Sequence, residues 1–148
     1  MILIAPWAKK LRVDKPHPKN YPYWPEVIQE IKEPIIQVGV EDEVQLVDDF
    51  RKNLSINELS DLVKQCKTWL SVDSFFQHFC WDLGKPGIAI WGPSDPLIFG
   101  HPENVNLLKD RSYLRPNQFW WWEQCDFNKD SFVEPKVVLD ALQKFINN

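Results

Sequence analysis

The sequence predicts an α/β protein with one Rossmann-like domain, in which helices cover both faces of a doubly wound, mainly parallel sheet. Segments with strand and helix patterns alternate along the 148 residues, which is the order typical of parallel sheets. The strand segments are apolar almost throughout, as expected for strands that are buried on both faces. A chain of this length normally forms a single domain, so we assign residues 1–148 to one unit.

Each predicted element has a local signal in the sequence. The predicted strands are 2–5, 35–40, 69–72, 87–91 and 104–108. The predicted helices are 25–32, 56–66, 74–83 and 135–146. Pro25 suits a first helical turn, and Ser55 with Glu58 forms a capping box before the second helix. Gly84 is expected to end the 74–83 helix as its C-cap.

Two long segments lack a regular pattern. Residues 7–25 are rich in Pro and Lys, and prolines at 16, 18, 22 and 25 prevent regular structure across most of this stretch. Long loops inside compact domains are usually functional or disordered, and we predict a binding loop here. Residues 109–131 are irregular and rich in Trp, and the triplet Trp120-Trp121-Trp122 is typical of a core edge or a subunit contact.

Composition excludes several classes of function. The net charge is −4 at pH 7 and no run of Lys or Arg is present, so we expect no nucleic-acid partner. No segment is long and apolar enough to span a membrane, and we expect no cleavable signal in the short apolar run at the N-terminus. Three cysteines without CxxC spacing favour reduced thiols and a cytoplasmic location.

Metal ligands and cofactor motifs are not expected either. His78 and Cys80 lack a second ligand pair at zinc spacing. The Asp-x-Asn-x-Asp stretch at 126–130 resembles the start of a calcium loop, but it lacks the Gly of the sharp turn and the bidentate Glu. Because no P-loop or GxGxxG motif is present, we predict no metal and no cofactor.

The first candidate binding site lies where the 69–72 strand meets the next helix. In doubly wound sheets, ligands bind beyond the carboxyl ends of the strands, and a helix start offers unpaired amides to an anion. We therefore expect a phosphate to bind the amides of Ser74 and Phe75 and the Ser74 hydroxyl, beside Asp73. The alternative is that Asp73 or Ser74 only caps the helix.

Other candidate ligand-binding residues follow from the same edge of the sheet. His78 lies one turn along the helix from Ser74 and is a possible phosphate donor, the alternative being a structural histidine. Lys19 in the 7–25 loop is expected to reach a diphosphate, unless this loop is simply solvated. Glu41 and Glu43 are candidate ribose or base ligands, and a solvated acidic turn is the alternative.

Residues 68–96 resemble the carboxy-terminal half of the heptosyltransferase-like glycosyltransferases, family nine. There a strand is followed by Asp-Thr/Ser-Gly-x-x-His, a helix, a strand and Gly-Pro-Thr-Asp-Pro. This chain has Asp-Ser-Phe-Phe-Gln-His at 73–78 and Gly-Pro-Ser-Asp-Pro at 92–96. Segments 4–6, 19–22 and 39–43 also correspond in order, so the resemblance covers most of residues 1–110.

The resemblance implies one half of a GT-B fold with a nucleotide site, and it adds Ser94 and Asp95 to the expected phosphate-binding residues. Phe75 stands where the family has Gly, so a diphosphate is expected to lie further from this backbone. In that family the acceptor and the catalytic carboxylate belong to the other half. We therefore expect no catalytic residue in this chain and do not expect it to be an enzyme by itself.

The expected function is a stand-alone domain that binds a nucleotide, a nucleotide sugar or a nucleotide-derived signal without turnover. Such a domain would sequester its ligand, as small viral anti-defence sponge proteins do. One alternative is the nucleotide-sugar-binding subunit of a split glycosyltransferase, and another is an interaction module whose ancestral site is dead. Self-association into a homo-oligomer is expected through Trp120–Trp122 and Phe75-Phe76.

Overall fold

A six-stranded, all-parallel sheet forms the centre of the protein, in the order β3-β2-β1-β4-β5-β6. The computed structural model describes residues 1–147, and Asn148, the last residue of the predicted domain, lies outside them. The strands are β1 (Ile2–Ala5), β2 (Ile35–Gly39), β3 (Phe50–Lys52), β4 (Thr68–Val72), β5 (Ile88–Trp91) and β6 (Val105–Leu108). The strand order reverses between β1 and β4, so the predicted Rossmann-like, doubly wound fold is confirmed.

Helices cover both faces of this sheet. They are α1 (Trp24–Ile28), α2 (Ile56–Gln65), α3 (Phe75–Asp82), α4 (Pro96–Phe99) and α5 (Pro135–Ile146). One hydrophobic core contains Trp24 of α1 and Val138 of α5. The other contains Val63 of α2 and Cys80 of α3. The two cores lie on opposite faces of the sheet, which explains why the strands are apolar on both sides.

Alternate residues of β1 show how a strand serves two cores. Ile2 and Ile4 belong to the core beneath α1 and α5, whereas Leu3 and Ala5 belong to the core beneath α2 and α3. None of these four side chains is exposed. Because successive side chains of a strand point to opposite faces, a strand between two helical layers needs apolar residues at every position.

The local signals agree with the structure at most element ends. The capping box is present: Ser55 Oγ accepts from the Glu58 amide at 3.1 Å, and Glu58 Oε1 accepts from the Ser55 amide at 3.0 Å. Gly84 ends α3 with a φ of +70°, a conformation that glycine adopts without strain. The helix expected over 25–32 is shorter, because it ends after one and a half turns at Ile28.

Two elements were missed by the sequence analysis. β3 has only three residues and lies at the edge of the sheet, so it lacks the apolar run of the other strands. α4 is a single turn that begins after Asp95, whose side chain accepts from the Leu97 amide at 2.9 Å.

Residues 109–131 contain three short 3-10 turns, at Arg111–Tyr113, Trp122–Gln124 and Lys129–Ser131. Among residues 1–147, no helix combines the length and apolar character that a membrane span requires.

Candidate functional site

A cleft of about 530 Å³ opens at the carboxyl ends of β1 and β2, and we call it the strand-end cleft. It adjoins the point between β1 and β4 where the strand order reverses, which is the usual ligand position in doubly wound sheets. The strand ends, the first loop, the residues after β3 and the start of α3 all contribute to its wall. Residues that matter for its chemistry are Trp7, Lys9, Val38, Arg51, Ser74 and Phe75.

The start of α3 is not capped by a side chain. Ser74 is its N-cap residue, but its hydroxyl makes no cap hydrogen bond and instead lies 3.2 Å from Ser71 Oγ. The Asp73 carboxylate does not cap the helix either, because its partners within residues 1–147 are the side chains of Lys19 and Gln77. The first amides of α3 therefore lack a side-chain acceptor, and Ser74 and Phe75 line the cleft.

Lys19 and Asp73, which the sequence analysis placed separately at the expected phosphate site, form an ion pair. Lys19 Nζ lies 3.4 Å from Asp73 Oδ2, and both side chains are mostly buried, at 15% and 8% exposure. Gln77 Nε2 donates to the other carboxylate oxygen at 3.0 Å. Lys19 Nζ also lies 5.1 Å from the centre of the Trp122 ring, a cation–π distance. A buried ion pair therefore stands directly before the open helix start.

His78 has a partner that the sequence did not suggest. Its Nδ1 lies 2.7 Å from Nε2 of His101, and the His101 ring stacks on Trp81 with centroids 4.5 Å apart. Burial, and then the neighbouring His101, lowers the pKa of His78. His101 belongs to the connection between α4 and β6, so no spacing along the chain relates it to α3.

The two acidic candidates after β2 have different positions. Glu43 lines the strand-end cleft, and its Oε1 accepts from the Val40 amide at 2.7 Å, whereas Glu41 is exposed and is not part of the lining. Burial raises the pKa of Glu43. Gly39 makes this arrangement possible, because a Cβ at this position would lie 2.0 Å from Glu43 Oε1.

The cationic side chains that line the strand-end cleft do not include Lys19, the cation that the sequence analysis selected. They are Lys9, Lys10 and Arg51, whereas Lys19 is not among the lining residues. Lys10 pairs with Asp42 at 2.9 Å. Arg51 was missed because it belongs to the short strand β3, which the sequence pattern did not reveal.

Ser94 and Asp95 lie in a separate turn after β5. The Ser94 side chain is fully buried, and its hydroxyl has no hydrogen-bond partner within residues 1–147. Asp95 forms two bonds with Arg111, at 3.0 and 2.8 Å, and the guanidinium holds the pKa of this carboxyl below its usual range. Neither residue lines the strand-end cleft, so the expected phosphate-binding residues are divided between two turns.

Comparisons with known proteins agree with the fold and with the sequence motifs. The model of glycosyltransferase family 9 (heptosyltransferase) matches residues 51–112. The E. coli ADP-heptose lps heptosyltransferase II matches 99% of this chain and 46% of its own, at 17% identity and a TM-score of 0.64. The E. coli heptosyltransferase WaaC with ADP matches 97% of this chain and 43% of its own, at 15% identity and a TM-score of 0.61.

The predicted resemblance to the heptosyltransferase-like glycosyltransferases is therefore confirmed. By its fold, the chain is a Rossmann-like domain that matches half of a GT-B heptosyltransferase. In particular, residues 51–112 resemble glycosyltransferase family 9, and the chain spans about half the length of the two structures that it matches.

Proposed function

We propose that the domain binds the diphosphate of a nucleotide or nucleotide sugar in the strand-end cleft. The observation that carries this proposal is the uncapped start of α3, which opens into the cleft at Ser74 and Phe75. Unpaired amides and the positive end of the helix dipole favour an anion at this position. A phosphate is the anion that the resemblance to heptosyltransferases suggests, since one of them was solved with ADP.

Positively charged side chains support the proposed position of the phosphates. Lys9 and Arg51 line the cleft; Arg51 is bonded to Asp49 through Nε and Nη2, which leaves its Nη1 group to donate to a phosphate. Lys19 lies behind the residues that line the cleft, and its ammonium is paired with Asp73 immediately before the start of α3. Since Asp73 neutralises Lys19, we assign to this pair the role of orienting a donor near the phosphate.

The nucleoside end of the ligand is assigned to the wall formed by the end of β2. Glu43 uses Oε1 for the Val40 amide, which leaves Oε2 to accept from ribose hydroxyls. The neighbouring wall is apolar at Val38, Leu54 and Leu59, which suits the flat face of a base. Glu41 remains a weaker candidate for the same role, because its side chain is exposed outside the cleft.

Binding without turnover fits the carboxylates of this cleft better than catalysis does. Asp42 is paired with Lys10, and Glu43 is bonded to the Val40 amide through Oε1 and is assigned to the ribose hydroxyls through Oε2. A general base must instead be free to reach an acceptor hydroxyl. We therefore propose that the domain holds, and in this way sequesters, its nucleotide ligand, and that it does so in a reducing compartment such as the cytoplasm, where Cys66, Cys80 and Cys125 stay free thiols.

Self-association is a second part of the proposal and rests on exposed aromatic side chains. Phe75, Trp120 and Trp121 are 62%, 52% and 60% exposed, more than large apolar rings usually are. A homo-oligomer would cover these rings. The measurement is the molar mass in solution, by sedimentation equilibrium, of the wild type and of Trp120→Ser.

The nucleotide proposal is tested by thermal unfolding with a panel of ADP, other nucleoside diphosphates, nucleotide sugars, and cyclic di- and trinucleotides. A ligand at one hundred times its Kd adds about 2.7 kcal/mol to the unfolding free energy, which is several degrees for a domain of this size. The expected result is a shift with at least one diphosphate, reduced in Phe75→Pro, which removes an amide at the first helical position, where proline is tolerated, and unchanged in a Gln143→Ala control on the exposed face of α5.

Two outcomes would overturn parts of this proposal. No shift with any compound at millimolar concentration would reject nucleotide binding and leave the interaction module as the better interpretation. Release of the nucleoside diphosphate from a bound nucleotide sugar, measured by chromatography, would reject binding without turnover and favour a glycosyltransferase or one of its subunits.

A further inference from the structure

A second and larger cavity, of about 820 Å³, lies beneath the 7–25 loop, and we call it the loop cleft. It shares Trp7, Lys10, Asp42 and Glu43 with the strand-end cleft. Trp7 Nε1 donates to the Val44 carbonyl at 2.9 Å, which fixes the indole between the two cavities. The loop cleft is therefore a neighbour of the strand-end cleft with a lining of its own.

A buried histidine lines the loop cleft. His17 is only 8% exposed, and its Nδ1 accepts from the Lys19 amide at 3.1 Å. Because one nitrogen of a neutral imidazole accepts and the other donates, the proton must be on Nε2. No protein acceptor for Nε2 is present within residues 1–147, so a donor is left for a molecule in the cleft.

This imidazole is uncharged at neutral pH. Burial, with a smaller effect of Lys19, lowers the pKa of His17 to about 4. Its Nε2–H is therefore a neutral donor, which suits a carbonyl or ring-nitrogen acceptor better than it suits an anion.

The cations around the loop cleft are already paired. Lys10 is bonded to Asp42 at 2.9 Å, Arg12 to Glu123 at 3.1 Å and Lys15 to Asp126 at 3.4 Å. Asp14, which lines this cleft and not the strand-end cleft, would repel an anion. A phosphate or carboxylate is thus a poor occupant of this cavity.

The rest of the wall is mostly apolar. Leu11, Val13, Val44, Leu46 and Phe127 line it together with the ring of Tyr21. The Tyr21 hydroxyl is not available to a ligand, because it donates to the Val133 carbonyl at 2.9 Å. A mostly apolar wall with a well-placed neutral donor is the usual form of a site for a small uncharged molecule.

We propose that the loop cleft binds an uncharged, largely apolar ring compound that accepts a hydrogen bond from His17 Nε2–H. Aromatic ketones, amides and heteroaromatic bases with an unprotonated ring nitrogen belong to this class. The site adjoins the proposed phosphate site, but His17 is not part of that cleft, and binding in the loop cleft does not require a nucleotide.

The test compares two probes of similar size, acetophenone and ethylbenzene, titrated into ¹⁵N-labelled protein and followed by two-dimensional amide NMR. Acetophenone carries an acceptor and ethylbenzene does not. We expect acetophenone to bind about fivefold more tightly, since a neutral hydrogen bond contributes roughly 1 kcal/mol. In His17→Phe, which keeps a ring but removes the donor, the two probes are expected to bind equally.

A direct readout on the wild type avoids dependence on the folding of the variant. The ¹⁵N and ¹H signals of the His17 ring are expected to show the proton on Nε2 at pH 7 and to change with acetophenone but not with ethylbenzene. Equal affinity for both probes in the wild type, no binding of either, or a proton on Nδ1 would each overturn the proposal. Because no step uses ADP, a failure here is distinct from a failure of nucleotide binding.

Discussion

The turn after β4 and the turn after β5 each carry a motif of the resembled family, but the polar groups of the two turns make different contacts. After β4, the start of α3 is uncapped at Ser74 and opens into a cleft. After β5, the Asp95 amide donates to Gln118 Oε1 at 2.9 Å, and its carboxylate binds Arg111 and caps α4. The first turn has polar groups available to a ligand, whereas those of Asp95 are used within the fold.

This difference shows that a motif does not by itself define a binding site. Both turns lie at carboxyl ends of neighbouring strands, so the sheet topology does not separate them. The two turns differ because Arg111 and Gln118, which belong to the irregular 109–131 segment, form hydrogen bonds with the second turn. We therefore expect mutations near β5 to affect stability and mutations near β4 to affect ligand binding.

The largest expected effect is that of Gln118→Ala. Gln118 accepts from the Asp95 amide and donates to the Pro93 carbonyl at 2.9 Å, and both bonds are buried. Loss of these bonds leaves buried backbone groups unpaired and should lower the free energy of unfolding by about 3 kcal/mol. Urea unfolding measures this, with the exposed Gln143→Ala as the matched control, expected within about 0.5 kcal/mol of the wild type. A loss no greater than that of the control would show that the second turn is not held by Gln118.

The next largest effect is expected from substituting one cation at each turn and comparing the two variants. Lys19→Gln removes the partner of Asp73, and Arg111→Gln removes the partner of Asp95. We expect both variants to be less stable, but only Lys19→Gln to weaken ADP binding, by about tenfold, because the Asp73 carboxylate without its cation would repel a phosphate at the start of α3. Isothermal titration calorimetry at a temperature where both variants are folded gives the two Kd values. An equal loss of affinity in both variants would contradict the assignment of the phosphate to the β4 turn.

A smaller effect concerns the pH dependence of stability. Because Arg111 holds the pKa of Asp95 below its ordinary value of 3.8, the folded state favours the ionised carboxylate. This contribution to stability is present above the ordinary pKa and is lost as the pH falls through the lower, folded-state pKa. The stability advantage of the wild type over Asp95→Asn should therefore shrink between about pH 5 and pH 3. Urea unfolding across this range measures it, and an advantage that stays constant would contradict the ion pair.

Local signals in the sequence predict most of the fold but only part of the site. The continuous apolar strands and the Ser55 capping box are short-range patterns, and each corresponds to an observed element. Arg111 and Gln118 have no periodicity that relates them to Asp95, because α4 and β6 lie between them and Asp95 in the chain. His17 could have been noticed only from its place in the Pro-rich loop, since its burial depends on contacts across the whole loop.

The smallest expected effect is a gain of affinity, in Phe75→Gly. Phe75 occupies the first position of α3, and its ring is 62% exposed and lies 5.5 Å from the ring of Phe79. Removing it restores the residue that the family has here, so a phosphate can approach the first amides more closely.

We expect ADP to bind about threefold more tightly to Phe75→Gly, while helix propensity lowers the free energy of unfolding by up to about 1 kcal/mol. Phe75→Ala is the matched control, because it removes the ring and keeps the Cβ. If Ala and Gly increase the affinity equally, the ring alone obstructs the phosphate. If neither changes it, the phosphate does not lie at the start of α3, and the contrast between the two turns would concern stability alone.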